Sequence, residues 1–150
     1  MSYEEKNITV SLMSYILILG FYLLNMFQMW QAESLNSTKV FSLWAIVIVA
    51  GIIANIIGSI LTHIVFAIIH AIKTKSDKEE PTIADERDKL IELKGVKVSY
   101  ITFSVGVLLA MLTFVFGQPP LVMFSLIIFF SLAAEIMGDI SQIYLYRRGF

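Results

Sequence analysis

Cysteine is absent from this chain, and neither sign of charge is in excess. Without thiols there is no disulfide framework, no cysteine nucleophile and no thiolate metal site. The net charge of −1 provides no basic surface of the kind that binds nucleic acid. The sequence also lacks a glycine-rich phosphate loop, a nucleophile with an adjacent base, and residues at metal-ligand spacing. We therefore expect no enzyme, no cofactor, no metal and no nucleic-acid partner.

Apolar residues instead make up 57% of the chain, whereas soluble domains contain about 45–50%. They are collected in four blocks, 8–30, 40–72, 98–116 and 121–146. Each block is long enough to cross a hydrocarbon core about 30 Å thick, and the second would extend beyond it at about 50 Å. The first block is too long, and its leader too acidic, for a cleavable signal peptide. The prediction is an all-α integral membrane protein with four transmembrane helices in a single domain, 1–150.

The distribution of lysine and arginine predicts the orientation of these helices. Seven basic residues lie in segment 73–97, and Arg147 and Arg148 are close to the end of the chain. On the opposite side, the loop before the second block has Lys39 as its only basic residue, and the loop at 117–120 has no charged residue. We expect both termini in the cytoplasm, the protein in the cell (inner) membrane, and the helices paired as two hairpins. Trp30 and Trp44 flank the first outer turn, where interfacial aromatic residues prefer to lie.

Two acidic residues interrupt the fourth apolar block. Glu135 and Asp139 are four residues apart, so they project from one face of a helix. An ionised carboxylate at the centre of a bilayer costs about 2.5–3.5 kcal/mol on insertion scales, and two such charges repel each other. The pair therefore needs a partner helix, a bound cation or shared protons. Two interpretations stay open: the pair fixes helix packing, or it binds protons or cations for transport.

The second and fourth blocks also resemble each other. Segment 54–60 aligns without gaps on 134–140, with four of the seven positions identical. The first and third blocks share Ser-Tyr-Ile at 14–16 and 99–101. We interpret these similarities as a parallel internal repeat. Its units are 1–72 and 82–150, joined by a cytoplasmic linker at 73–81.

This repeat aligns Asn55 with Glu135 and Ser59 with Asp139. Small residues lie four positions apart at 54 and 58, and again at 134 and 138. Because small residues let helix backbones approach closely, the second and fourth helices are predicted to cross there. The amide of Asn55 and the hydroxyl of Ser59 would then satisfy the two carboxylates.

The segment before the third block predicts an amphipathic cytoplasmic helix that continues into the membrane. Thr82 is the expected N-cap, and the acids at 85, 86 and 88 suit the positive end of a helix. Apolar residues at 90, 91, 93 and 96 form a stripe. The candidate contact residues for a cytoplasmic protein partner are Asp85, Glu86, Arg87, Leu90 and Lys94. The alternative is a solvated helix that pairs its own charges.

The decapeptide DERDKLIELK at 85–94, directly before a membrane helix, resembles a motif of small multi-pass bacterial and archaeal membrane proteins of unknown function. In that family DER is followed by Ile or Leu and then Lys. The tail Tyr146-Arg147-Arg148-Gly149 resembles the aromatic-Arg-Arg-Gly end of the same proteins. The resemblance covers the second half of the chain, 85–149, and the first half lacks the motif. It implies no reaction, but some members look like companions of small helix-turn-helix regulators, which implies a membrane-side partner role.

Two functions follow from these features. The first is a non-enzymatic membrane protein that acts by protein–protein interaction through its cytoplasmic helix. The second is a small proton- or cation-coupled transporter, or a channel-like oligomer, that uses Glu135 and Asp139. Four helices make a thin pathway, so a homo-oligomer in the lipid bilayer is expected in either case.

Overall fold

Four long helices account for most of the chain in the computed structural model. They are α1 (Tyr3–Gln31), α2 (Ser37–Lys73), α3 (Glu86–Val115) and α4 (Pro120–Arg148). The structure describes residues 3–32, 36–73 and 86–148, with side chains at 5–32, 36–57, 60, 64 and 86–148. Each of the four helices contains a stretch long and apolar enough to cross a membrane. The number, length and apolar composition of these helices confirm the prediction of an all-α, multi-pass membrane protein.

The turn between α3 and α4 is short because local chemistry ends one helix and starts the next. Gly117 has a φ of 83°, a left-handed conformation that glycine adopts without strain. Its N–H donates to the carbonyl of Phe114 at 3.0 Å, and the N–H of Gln118 donates to the carbonyl of Thr113 at 3.1 Å. This pair of bonds is the Schellman motif. Pro120 then begins α4, a position where its missing N–H costs nothing.

Two helices exceed the length that a bilayer requires. The 37 residues of α2 correspond to about 55 Å, as its long apolar block predicts. α3 runs without a break from Glu86 into the membrane span, so the predicted amphipathic segment is the first part of α3. Its expected N-cap, Thr82, and most of the predicted linker, 74–81, lie outside the described residues.

α4 is the central helix of the described bundle. It packs along α3 and along α1, and α1 also packs along α2, whereas α2 and α4 contact each other little. A buried apolar cluster joins α1, α2 and α4. It consists of Tyr22, Val40, Leu43, Trp44, Val47 and Leu132. Most other large apolar side chains face outward, as expected where the surroundings are lipid.

Trp44, which the sequence places beside the first outer turn, belongs to this core. Its ring packs edge-on against Phe41 at 4.8 Å between centroids, and tilted against Phe124 at 5.9 Å. Its indole N–H lies beside the hydroxyl of Tyr22 but has no partner in hydrogen-bonding geometry among the described residues. The contact with Phe124, which joins α2 to α4, is at the end of α4 that follows the short turn.

The predicted crossing of α2 and α4 at Gly138 is wrong. Gly138 is buried against α3, where an added β-carbon would meet the hydroxyl of Ser99 and come within 3.2 Å of the carbonyl oxygen of Gly95. Gly95 in turn faces the side chain of Gln142. Small residues do permit a close helix contact here, but the short turn places α3, not α2, against this face of α4. The side chain at position 58 lies outside the described part of the chain.

Candidate functional site: an intramembrane carboxylate pair

Asp139 is buried at the contact between α1 and α4, with 8% of its surface exposed. The hydroxyl of Ser11 on α1 donates a hydrogen bond to its carboxylate. The oxygen Oδ2 is also buried and has no hydrogen-bond partner among the described residues. Leaving a carboxylate oxygen unpaired in a low-dielectric environment is unfavourable. This oxygen is therefore the atom of the site best placed to take a proton or to coordinate a cation.

Glu135 lies near the middle of α4 and, unlike Asp139, is exposed. It lines a lateral groove of roughly 290 Å³ between α3 and α4. The groove residues are Val96, Ser99, Tyr100, Phe103, Ser131, Ala134 and Glu135. The two carboxylates still interact electrostatically, because they are one helical turn apart. The site thus has one buried acid at a helix contact and one acid at an open groove.

The predicted Asn55 forms a hydrogen bond with a tyrosine of α1. The side-chain amide of Asn55 donates to the hydroxyl of Tyr15 at 2.6 Å and to the carbonyl of Gly51 at 3.2 Å. The hydroxyl of Tyr15 interacts electrostatically with both Glu135 and Asp139. Asn55 therefore contacts α1 through the hydroxyl of Tyr15. Ser59, the other predicted partner, lies outside the described side chains.

The polar residues of this site that the sequence interpretation missed include Ser11, Tyr15, Tyr100 and the groove residues Ser99 and Ser131. One signal was available for the tyrosines, because the repeated Ser-Tyr-Ile at 14–16 and 99–101 contains both. That motif was used only to align the two halves of the chain. No comparable sequence signal marks Ser11, which is identified by its hydrogen bond to Asp139.

The predicted interaction residues of α3 fall into different environments. Glu86 and Arg87 are exposed, Leu90 is 49% exposed, and Lys94 is partly buried. Ile91 is fully buried. Asp85 lies outside the described residues. The predicted apolar stripe is thus divided between a buried position and the surface.

Hydrogen bonds and an ion pair fix this end of the bundle. The hydroxyl of Tyr146 on α4 donates to Asp88 Oδ1 on α3 at 2.8 Å. Arg147 Nε lies 3.5 Å from Glu5 Oε1, which joins the end of α4 to the start of α1. Because α1 starts and α4 ends here, we call this the terminal side of the protein. The exposed surface at the start of α3 therefore lies beside contacts that join α4 to α3 and to α1.

Within the described ranges, no group of three or more His, Cys, Asp or Glu side chains could together hold a metal ion. No protein-family model, curated protein or solved structure matches this chain.

Proposed function

We propose that this protein is a non-enzymatic, multi-pass membrane protein that binds a proton or a cation at Glu135 and Asp139 and couples that binding to transport. The observation that carries the proposal is the Asp139 carboxylate. It is buried between two helices, with one hydrogen bond from Ser11 and an oxygen, Oδ2, that has no described partner. Ionisable residues inside membrane helices are rare and mark proton relays and ion pathways.

A purely structural role fits this geometry less well. A carboxylate that only joined two helices would have hydrogen bonds at both oxygens, because unpaired polar atoms weaken a membrane contact. Glu135 is exposed at a groove, so its side chain is not buried in a helix contact either. In this proposal, the buried Asp139 holds the proton or cation, and Glu135, at the open groove, delivers it.

The parallel repeat of two helical hairpins is part of this proposal. In the first unit, Tyr15 lies beside Asn55, and in the second, Tyr100 and Glu135 line the same groove. These are equivalent positions in the alignment of the two halves. On this basis, the second unit has a carboxylate where the first has an amide, and the ionisable site arose in one unit only.

A homo-oligomer in the cell membrane, with both termini in the cytoplasm, completes the proposal. Glu135 is exposed near the middle of α4, where a single copy leaves it at the lipid-facing surface. A second copy would cover that position at lower cost than lipid. The cytoplasmic placement follows from the basic residues of 73–97 and of the chain end.

Charge displacement in reconstituted vesicles on a solid-supported membrane tests this function without knowledge of the cargo. A jump in pH or in cation concentration should produce a transient current from the wild type. Asp139→Asn and Glu135→Gln should abolish it, because amides do not titrate. Ser104→Ala is the control, since that hydroxyl bonds only its own helix in the described structure. Wild-type protein that gives no current after any jump would refute the proposal.

Interaction through the terminal end of α3 is a second candidate function. The observation in its favour is that Leu90 and Leu93 are 49% and 64% exposed beside the exposed charges of Glu86 and Arg87. A partner with an apolar patch and a charged rim would fit this surface. A photo-crosslinking residue at 90 should capture such a partner, whereas the same residue at the buried position 91 should not. Equal capture at both positions would exclude a specific surface.

A further inference from the structure

Two exposed polar groups lie in the membrane-spanning parts of α3 and α4. Tyr100 on α3 is 72% exposed, and Glu135 on α4 is also exposed. Among the described residues, neither the phenol hydroxyl nor the carboxylate forms a hydrogen bond. The exposed side chains of Asn55 and Ser104, by contrast, bond Tyr15 and their own helix. Lipid offers no hydrogen bonds, so Tyr100 and Glu135 are costly to leave uncovered.

The donor and the acceptor lie side by side at one lateral groove. Its walls include the apolar side chains of Val96, Phe103 and Ala134, with Glu135 and the exposed Tyr100 also in its lining. The groove has a volume of roughly 290 Å³, and a cavity of about 150 Å³ already holds a benzene ring. It can therefore accept an aromatic side chain whose polar end reaches the carboxylate.

The two groups also lie at one depth in the membrane. Tyr100 is as far before the end of α3 at Val115 as Glu135 is after the start of α4 at Pro120. The basic residues give every copy of the chain one orientation, so a two-fold axis between two copies is parallel to the membrane normal. Rotation about that axis keeps each residue at its depth and exchanges features that lie side by side. Tyr100 of one copy is thus brought to the groove, and to Glu135, of the other.

We infer that a second copy of this chain docks on the α3–α4 face and inserts its Tyr100 ring into the groove, where the hydroxyl donates a hydrogen bond to Glu135. The inference rests on the homo-oligomer of the proposed function and names its face, its symmetry and the residue that each copy supplies. The phenol is a donor and the carboxylate an acceptor, and the ring covers the apolar walls. Tyrosine suits such a contact because it has an apolar ring and one polar end. The acid that the proposed function assigns to delivery therefore obtains its hydrogen-bond donor from the other copy.

A photo-crosslinking phenylalanine at position 100 tests the docking face in membranes. It keeps an aromatic ring at the groove, so it should give covalent dimers with the adduct on α4 near Ala134. The same residue at position 101 is the control, because Ile101 is 50% exposed but does not line the groove. Dimers that form equally from both positions, or no dimers from position 100, would overturn the docking face.

Removal of the phenol hydroxyl tests the hydrogen bond. Tyr100→Phe should weaken association on the order of tenfold, because a symmetric dimer then loses two hydrogen bonds of the average strength found between membrane helices. Energy transfer between labelled copies in vesicles, measured as the protein is diluted with lipid, gives the dissociation constant. Tyr144→Phe is the control, since that hydroxyl accepts a bond from Arg148 of its own helix. Equal weakening by the two variants, or a wild type that stays monomeric, would contradict the inference.

A double-mutant cycle identifies the acceptor. In a Glu135→Ala background, Tyr100→Phe should leave the dissociation constant unchanged, because the group that accepted the bond is already absent. An undiminished effect of Tyr100→Phe in that background would show that the hydroxyl bonds another group and would exclude Glu135 as the acceptor.

These results separate the inference from the proposed function. Covalent dimers from position 100, together with a wild type that gives no charge displacement, would support the contact and refute transport. Charge displacement from a monomeric wild type would support transport and refute the contact.

Discussion

Glycines in the membrane helices of this protein have very different surroundings. An added β-carbon at Gly138 would meet Ser99 and the backbone of Gly95, whereas nothing lies within 4 Å of the same atom at Gly20. Sequence spacing identified Gly138 as a close-approach position but could not distinguish its partner. The neighbouring atoms decide that, and they belong to α3.

Gly138→Leu is expected to destabilise the protein, and Gly20→Leu to leave it unchanged. Overpacking a tight contact costs about 1–3 kcal/mol, and here α3 would have to move away from α4. Thermal unfolding in detergent micelles measures the difference. A Gly138→Leu protein that unfolds at the wild-type temperature would contradict the close contact of α3 with α4.

The hydroxyl of Tyr22 is expected to contribute a measurable helix–helix hydrogen bond. It donates to the carbonyl oxygen of Ser125 at 2.8 Å and so joins α1 to α4. Tyr22→Phe removes only this group, and hydrogen bonds between membrane helices contribute about 0.6 kcal/mol on average. Tyr144→Phe is the control, because that hydroxyl accepts a bond from Arg148 of its own helix. Equal stability of the two variants would show that the Tyr22 bond contributes nothing.

The first turns of α3 show which features of a helix a sequence pattern can predict and which it cannot. The pattern predicted an amphipathic segment continuous with the membrane helix, and α3 does run unbroken from Glu86. It did not predict that Ile91 would be fully buried while Leu90 and Leu93 stay at the surface. Neighbouring apolar residues of one stripe differ in burial because α4 covers only part of that stripe.

Ile91→Asn should destabilise the contact of α3 with α4, whereas Leu90→Asn should be tolerated. The expected loss at position 91 is about 2–5 kcal/mol, comparable with large-to-small changes in buried cores. Leu90 is 49% exposed, so a polar residue there meets water or headgroups. Resistance to limited proteolysis reports both variants. If Leu90→Asn were the more damaged protein, the assignment of the buried face would be wrong.

At the scale of the whole molecule, the start of α1 and the end of α4 lie at one side, joined by Glu5 and Arg147. We predict that this side is the cytoplasm, because the basic residues lie there. A reporter fused after position 150 should be active in the cytoplasm, and one inserted at position 118 should be active only outside. A cytoplasmic signal from position 118 would invalidate the orientation, although the packing of the helices would remain.

Composition and length alone determined the four membrane helices, because about twenty consecutive apolar residues have no other stable placement than a bilayer. Spacing alone also placed Glu135 and Asp139 on one face of α4. Only the tertiary structure decided that Asp139 meets Ser11 of α1, that Glu135 lines a groove with α3, and that Gly138 packs on α3. The physical reason is that lipid is as apolar as the helices, so hydrophobicity does not specify which faces meet. Close packing and a few hydrogen bonds make that choice, and both depend on residues far apart in the sequence.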